Sequence, residues 1–139
     1  MTKVYLALSG APDRLLGHVE DDGRVYRSLV GPDNLIGHVD LATGNIYAQR
    51  FGPDKKVGHV DLSSGRVYAT HPGPDAHVGQ VREDGMMYLH QALATDDYVG
   101  HVDSFRSHAH TAGAMLLLVM PALETEAAKP APEEEENTE

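Results

Sequence analysis

Asn45-Ile46-Tyr47-Ala48-Gln49-Arg50-Phe51-Gly52-Pro53-Asp54-Lys55-Lys56-Val57-Gly58-His59-Val60 is the third statement of a phrase that the chain makes five times between Lys3 and Val102. Its tyrosines fall at Tyr5, Tyr26, Tyr47, Tyr68 and Tyr88, in steps of 21, 21, 21 and 20 residues. The glycines that open the matching Gly-(His)-Val triplets are Gly17, Gly37, Gly58, Gly79 and Gly100, in steps of 20, 21, 21 and 21. A period this regular marks an array of like supersecondary units, none able to bury its apolar side alone.

Each unit carries two reversals. Gly31-Pro32-Asp33, Gly52-Pro53-Asp54 and Gly73-Pro74-Asp75 join a residue tolerant of positive φ, a residue with φ preset and a side chain that caps its own turn. The first repeat spells this turn Gly10-Ala11-Pro12-Asp13, and the last keeps only Ala94-Thr95-Asp96. The second reversal ends at Gly23, Gly44, Gly65 and Gly85, where a left-handed residue closes a short hairpin loop. The segments between turns are too short for helices and rich in Val, Ile and Tyr, which reads as ten short strands.

Pairing across the Gly-Pro turn sets Tyr47 opposite Gly58 and Gln49 opposite Lys56. Pairing across the other turn sets Val60 opposite Val67 and His59 opposite Tyr68. Val57 and Val60 are three apart, so a regular strand would send them to opposite faces. Either both faces are covered or the intervening glycine forms a bulge, and a bulge suits a sheet that bends sharply. The expected fold is therefore all-β: five tandem hairpin repeats in a closed or curled pseudosymmetric array, Met1 to Asp103.

Ile46-Tyr47, Gly52, Val57-Gly58 and Val60, with their equivalents in the other repeats, resemble the short hairpins of the bacterial β-flower proteins. That resemblance covers Lys3 to Val102. It implies a small β assembly and carries no catalytic residue to transfer. The Gly-to-Tyr spacing is also similar to that of choline-binding hairpin repeats, but without tryptophan their aromatic cage for a quaternary ammonium is absent.

Composition narrows the function classes. With 139 residues and 41 % apolar content there is room for one domain with a modest core. The chain has no cysteine, which agrees with a reducing compartment, and its first residues belong to a repeat rather than to a secretory signal. A cytoplasmic location is expected. The net charge is −10, and the seven glutamates and one lysine from Glu124 to Glu139 supply −6 of it. An acidic surface repels phosphate backbones, so nucleic acid is not an expected partner. No P-loop, dinucleotide fingerprint, nucleophile elbow or H-E-x-x-H motif is present, and no enzyme activity or cofactor is expected.

Candidate chemistry gathers in histidine. His18, His38, His59 and His101 hold one position of four repeats, and Gln80 replaces them in the other. Around a ring axis, equivalent imidazoles could converge on a ligand or a transition metal. The plainer reading, and the favoured one, is an imidazole packed on the adjacent tyrosine on a half-exposed strand face. His108 and His110 could form a two-ligand metal clasp, against the plainer alternative of a polar linker. Asp13, Asp33, Asp54, Asp75 and Asp96 read as turn caps rather than a calcium ladder.

Residues 104–123 break the symmetry. The run from Ala112 to Ala122 is uncharged and apolar, about half of what a bilayer crossing needs. Its Met and Leu content favours a short helix, ended by Pro121. Such a helix must be covered on nearly every side. It could plug the repeat ring, seal its edge, or pack with copies of itself through Met115, Leu116, Leu117, Leu118, Val119 and Met120. Residues 124–139 are rich in Ala, Pro and Glu and read as a disordered acidic tail. The expected function is a non-enzymatic scaffold or protein-interaction module that forms homo-oligomers, with ligand or metal binding by the repeated histidines as the alternative.

Overall fold

The computed structural model describes residues 1–128 apart from 9, 29–31, 51 and 92, and only the backbone of 125–128. Ten strands alternate with turns along the chain: β1 (Thr2–Leu6), β2 (Arg14–Val19), β3 (Arg24–Arg27), β4 (Asn34–Val39), β5 (Asn45–Ala48), β6 (Lys55–Val60), β7 (Arg66–Ala69), β8 (Ala76–Val81), β9 (Met86–Leu89) and β10 (Asp97–Val102). Every strand pairs antiparallel with its chain neighbours. β1 also pairs with β10, Val4 facing Val102, which closes the sheet into a barrel.

The turn chemistry matches its sequence signals. Gly44 and Gly65 have φ of 83° and 81° and close loops in which their N–H groups bond the Asp40 and Asp61 carbonyls, one residue longer than the loops closed at Gly23 and Gly85. Val60 faces Val67 and His59 faces Tyr68, as the pattern requires. Across the Gly-Pro turn the expected register is corrected: Gly58 faces Ile46, not Tyr47, and Tyr47 faces Lys56. Val57 is the extra residue of a bulge. It turns inward beside Gly58 and packs against the core, so the valines three apart share one face. The same irregularity recurs at every Gly-Pro-type turn, and five such kinks roll the sheet into a tube.

Val4, Val25, Ile46, Val67 and Met87 project inward from the short strands. Val19, Val39, Val60, Val81 and Val102 do so from the long ones, all at most 5 % exposed. The space inside this apolar lining is filled by the C-terminal helix. It begins as α1 (His108–Ala114), continues as a π-helical turn (Met115–Val119) and ends as α2 (Met120–Ala128). Ser107 caps it, its hydroxyl accepting from the His110 N–H at 3.2 Å.

The inward glycines make room for this helix. A side chain at Gly79 would collide with Met115, one at Gly58 with Leu116, and one at Gly37 with Leu117, while Val119 lies against Gly100. Leu118 lines a groove with Leu16 of β2. Five consecutive residues thus address β8, β6, β4, β2 and β10 in turn, one full circuit of the barrel. Five repeats around an axis call for roughly 72° per residue, whereas an α-helix turns about 100°. A π turn is wider and rotates less per residue, which brings it nearer the step that the barrel imposes.

The π turn also explains why Pro121 does not end the helix, contrary to expectation. The Met120 N–H already reaches back five residues to the Met115 carbonyl. In this widened turn the proline ring avoids the carbonyl it would otherwise strike, and its missing N–H costs little. Helical backbone continues to Ala128, past the expected start of a disordered tail at Glu124, and residues 129–139 lie outside the described residues.

Candidate functional site

With the interior filled by apolar side chains, the polar groups stand on the outer wall. Alternation along each long strand turns the triplet glycine and valine inward and the histidine between them outward. His18, His38, His59 and His101 therefore do not converge on the axis. Each stacks on the tyrosine of the next strand: His18 on Tyr26, His38 on Tyr47, His59 on Tyr68, and His101 on Tyr5. Ring centroids are 4.8–5.0 Å apart and planes within 16°.

A third member completes each group. Nδ1 of His18, His38, His59 and His101 faces Oδ2 of Asp33, Asp54, Asp75 and Asp13 at 3.2, 3.5, 3.0 and 3.2 Å. The aspartates expected to cap their own turns thus reach across a strand to the imidazole of the preceding repeat. Each His–Tyr–Asp trio ties three successive strands. His101, Tyr5 and Asp13 carry the same pattern over the seam where the first and last strands pair. These side chains are a tenth to two-fifths exposed, so each His–Asp contact contributes at most about 1 kcal/mol, with stacking adding a similar amount. The trios are built to hold strands, and with Tyr and Asp on each imidazole little of it is left for a ligand.

The fifth position departs from this pattern. Gln80 faces Tyr88, and Asp96 ahead of β10 lies 3.5 Å from Nδ1 of His90 instead of meeting an imidazole from the triplet position. The Arg82 guanidinium lies over the Tyr88 ring instead, 5.1 Å from its centroid. Tyr88 also meets Tyr98, with ring centroids 5.8 Å apart and planes tilted by 56°. From there an apolar and aromatic strip crosses the seam, through His101 and Tyr5 to Leu15, with Met86 at its near edge. Tyr98, Leu15 and Met86 are 41, 45 and 38 % exposed. The Tyr98 hydroxyl lies 3.1 Å from His101 Nδ1, and partial burial, followed by the charge on Asp13, raises its pKa.

His108 and His110 do not form a metal clasp together. His108 Nδ1 donates to the Leu62 carbonyl at 2.8 Å and His110 Nε2 to the Asp21 carbonyl at 2.9 Å, so they pin the first helical turn to the loops of two different repeats. Among the described residues no three His, Asp or Glu groups gather closely enough to hold a metal ion. Met115, Leu117, Leu118 and Val119 are inside the barrel, and Leu116 and Met120 pack on its core, so the apolar run is covered within its own chain. None of the described helices is long and apolar enough to cross a membrane.

Sequence reasoning missed the Asp–His partnership and the exposed strip. The partnership had a signal: Asp33, Asp54 and Asp75 follow His18, His38 and His59 at a constant 15 or 16 residues. No family model, no curated protein and no solved structure matches this chain at a significant level.

Proposed function

We propose that this chain is a non-enzymatic β-barrel scaffold that self-associates through the outer wall over β9, β10, β1 and β2. The observation that carries this reading is the strip of Met86, Tyr88, Tyr98, Tyr5 and Leu15, three of them more than a third exposed on adjoining strands. Aromatic and methionine side chains are the kind enriched at the centres of protein interfaces. The flanking charges are of both signs: Lys3, Arg14 and Arg82 against Asp84, Asp97 and Asp103. A second copy related by a two-fold axis meets such a rim with opposite charges, despite the overall acidity.

Other features agree with a structural role. The interior is occupied, the repeated polar groups are engaged with one another, and the hairpin phrase resembles that of the β-flower proteins, small β assemblies without a transferable catalytic residue. The lack of cysteine agrees with a cytoplasmic setting. Binding of a metal by His18, His38, His59 and His101 has less support, because the four are spread around the wall and each faces its own carboxylate.

Light scattering on the intact protein and on a Leu15→Glu/Tyr98→Lys variant tests the reading. A multimer that becomes a folded monomer on substitution is the expected result. A wild-type protein that stays monomeric at high micromolar concentration removes it.

A further inference from the structure

The helix enters the barrel at one end and leaves it at the other. His108 and His110 hold its first turn to the Leu62 and Asp21 carbonyls of the Asp-Gly loops. Leu118, Pro121 and Ala122 lie beside Leu16, Arg27 and Ser28, at the end formed by the Gly-Pro turns. The two ends use their charges differently. At the entry end Arg24 pairs with Asp22 at 3.6 Å and Arg106 with Asp21 at 3.0 Å. At the exit end the carboxylates are turned to other groups: Asp33, Asp54 and Asp75 to imidazoles, and Asp97 to the Gln91 amide.

Arg27, Arg50, Lys55 and Lys56 stand at that exit end, all exposed and, among the described residues, none in an ion pair. They span β3 to β6: Arg27 faces Asn34, while Lys55 and Lys56 face Ala48 and Tyr47. Between them runs a groove of about 340 Å³, lined by Asn34, Leu35, Ile36, Gln49 and Arg50. A chain of net charge −10 thus carries a patch of four cations at the end from which its last helix emerges.

The sequence that follows this helix is Lys129-Pro130-Ala131-Pro132-Glu133-Glu134-Glu135-Glu136. Four consecutive carboxylates match the four cations. A Pro-Ala-Pro stretch offers apolar contact to Leu35 and Ile36 with little entropy to lose. The reach agrees. Ala128 is about 9 Å of helix beyond Ala122, and β6 lies about 14 Å across the sheet from β3. Five extended residues cover about 17 Å, which brings Glu133 to the patch and lets the next three glutamates lie along it.

We propose that the carboxylates of residues 133–136 dock on Arg27, Arg50, Lys55 and Lys56 of the same chain, folding the acidic tail back over the mouth of the barrel. The patch shares no residue with the strip over β9, β10, β1 and β2, so the contact does not depend on the self-association proposed above.

Because the chain has no cysteine, Asn137→Cys gives a single place for a nitroxide label on the full-length protein. Paramagnetic broadening of backbone amide signals should be strongest at Arg27, Arg50, Lys55 and Lys56 in about 20 mM salt and should fade in about 500 mM. Glu133→Gln/Glu134→Gln/Glu135→Gln/Glu136→Gln, which changes nothing inside the barrel, should abolish it at either salt. Spin-labelled protein mixed with isotope-enriched, unlabelled protein should show none. Broadening in that mixture would assign the docked tail to a second copy and overturn the proposal. So would broadening spread evenly round the mouth, its persistence at high salt or in the glutamine variant, or its absence at low salt.

Discussion

Val60 and His59 are consecutive residues. The first is 2 % exposed in the core, and the second stands on the outer wall with a third of its side chain in solvent. The same contrast runs round the barrel, and it separates two kinds of work. Inside, Met115, Leu117, Leu118 and Val119 are each at most 6 % exposed, and burying such a side chain is worth roughly 1.5–3 kcal/mol. Four of them together rival the whole net stability of an ordinary domain, about 5–15 kcal/mol. Outside, a trio contributes on the order of 1–2 kcal/mol, and it holds strands in register rather than holding the molecule together. The inner wall therefore tolerates little change, whereas the outer wall is where recognition can vary.

Removing the helix is the severest test of that contrast. A chain ending at Phe105 should lose the closed barrel altogether, read as loss of cooperative thermal unfolding and gain of binding to a hydrophobic dye. A folded monomer from that truncation would mean that the lining closes on itself and the helix is only an addition. Met115→Ala, which empties the space against Gly79, should cost about 2–5 kcal/mol in denaturant unfolding. His59→Ala, which removes both the Asp75 contact and the stacking on Tyr68, should cost only about 1–2 kcal/mol. If it cost as much as the methionine change, the division between the walls would fail.

The smallest expected effect lies in a turn. Ser63 donates its hydroxyl to Asp61 at 2.7 Å and its N–H at 2.9 Å, and these bonds, the hydroxyl first, hold the Asp61 carboxyl below its usual pKa. A lowered carboxylate pKa stabilises the fold above the unfolded-state value, and the stabilisation is lost as pH falls through the folded value. Ser63→Ala should therefore be slightly less stable than the wild type at pH 7. Denaturation curves at decreasing pH should show that gap closing below the ordinary carboxylate range. A gap that persists in strong acid would assign the effect to the loop backbone instead.

How far the sequence could be read follows from distance along and across the sheet. The ten strands, both turn families and the Val60–Val67 pairing are legible because each depends on residues a few positions apart. The Tyr47 register is not, because the hairpin reverses one residue earlier than Gly52-Pro53 suggests, which moves Tyr47 two places to Lys56 before the bulge at Val57 takes one place back. The His–Asp contacts skip a strand, so no hairpin pairing exposes them even though both residues recur with the period. The covered state of the apolar run is legible from its composition. What covers it depends on the bore of the barrel, which only the closed sheet defines. Pro121 reads as a stop because the π turn before it leaves no mark in Met-Leu-Leu-Leu-Val beyond a lack of polar residues.

The five-residue circuit of the helix also has a consequence for how the protein comes to be folded. All ten strands leave the ribosome before the segment that fills them. The pairing that closes the sheet, Val4 with Val102, joins residues almost a hundred positions apart. Early in synthesis the hairpins can form one at a time, but their apolar faces have nothing to enclose until residues 115–119 emerge. The order of translation thus runs opposite to the order in which stability is acquired, and the nascent chain passes through a stage of open, sticky sheet that ends only when its last helix arrives.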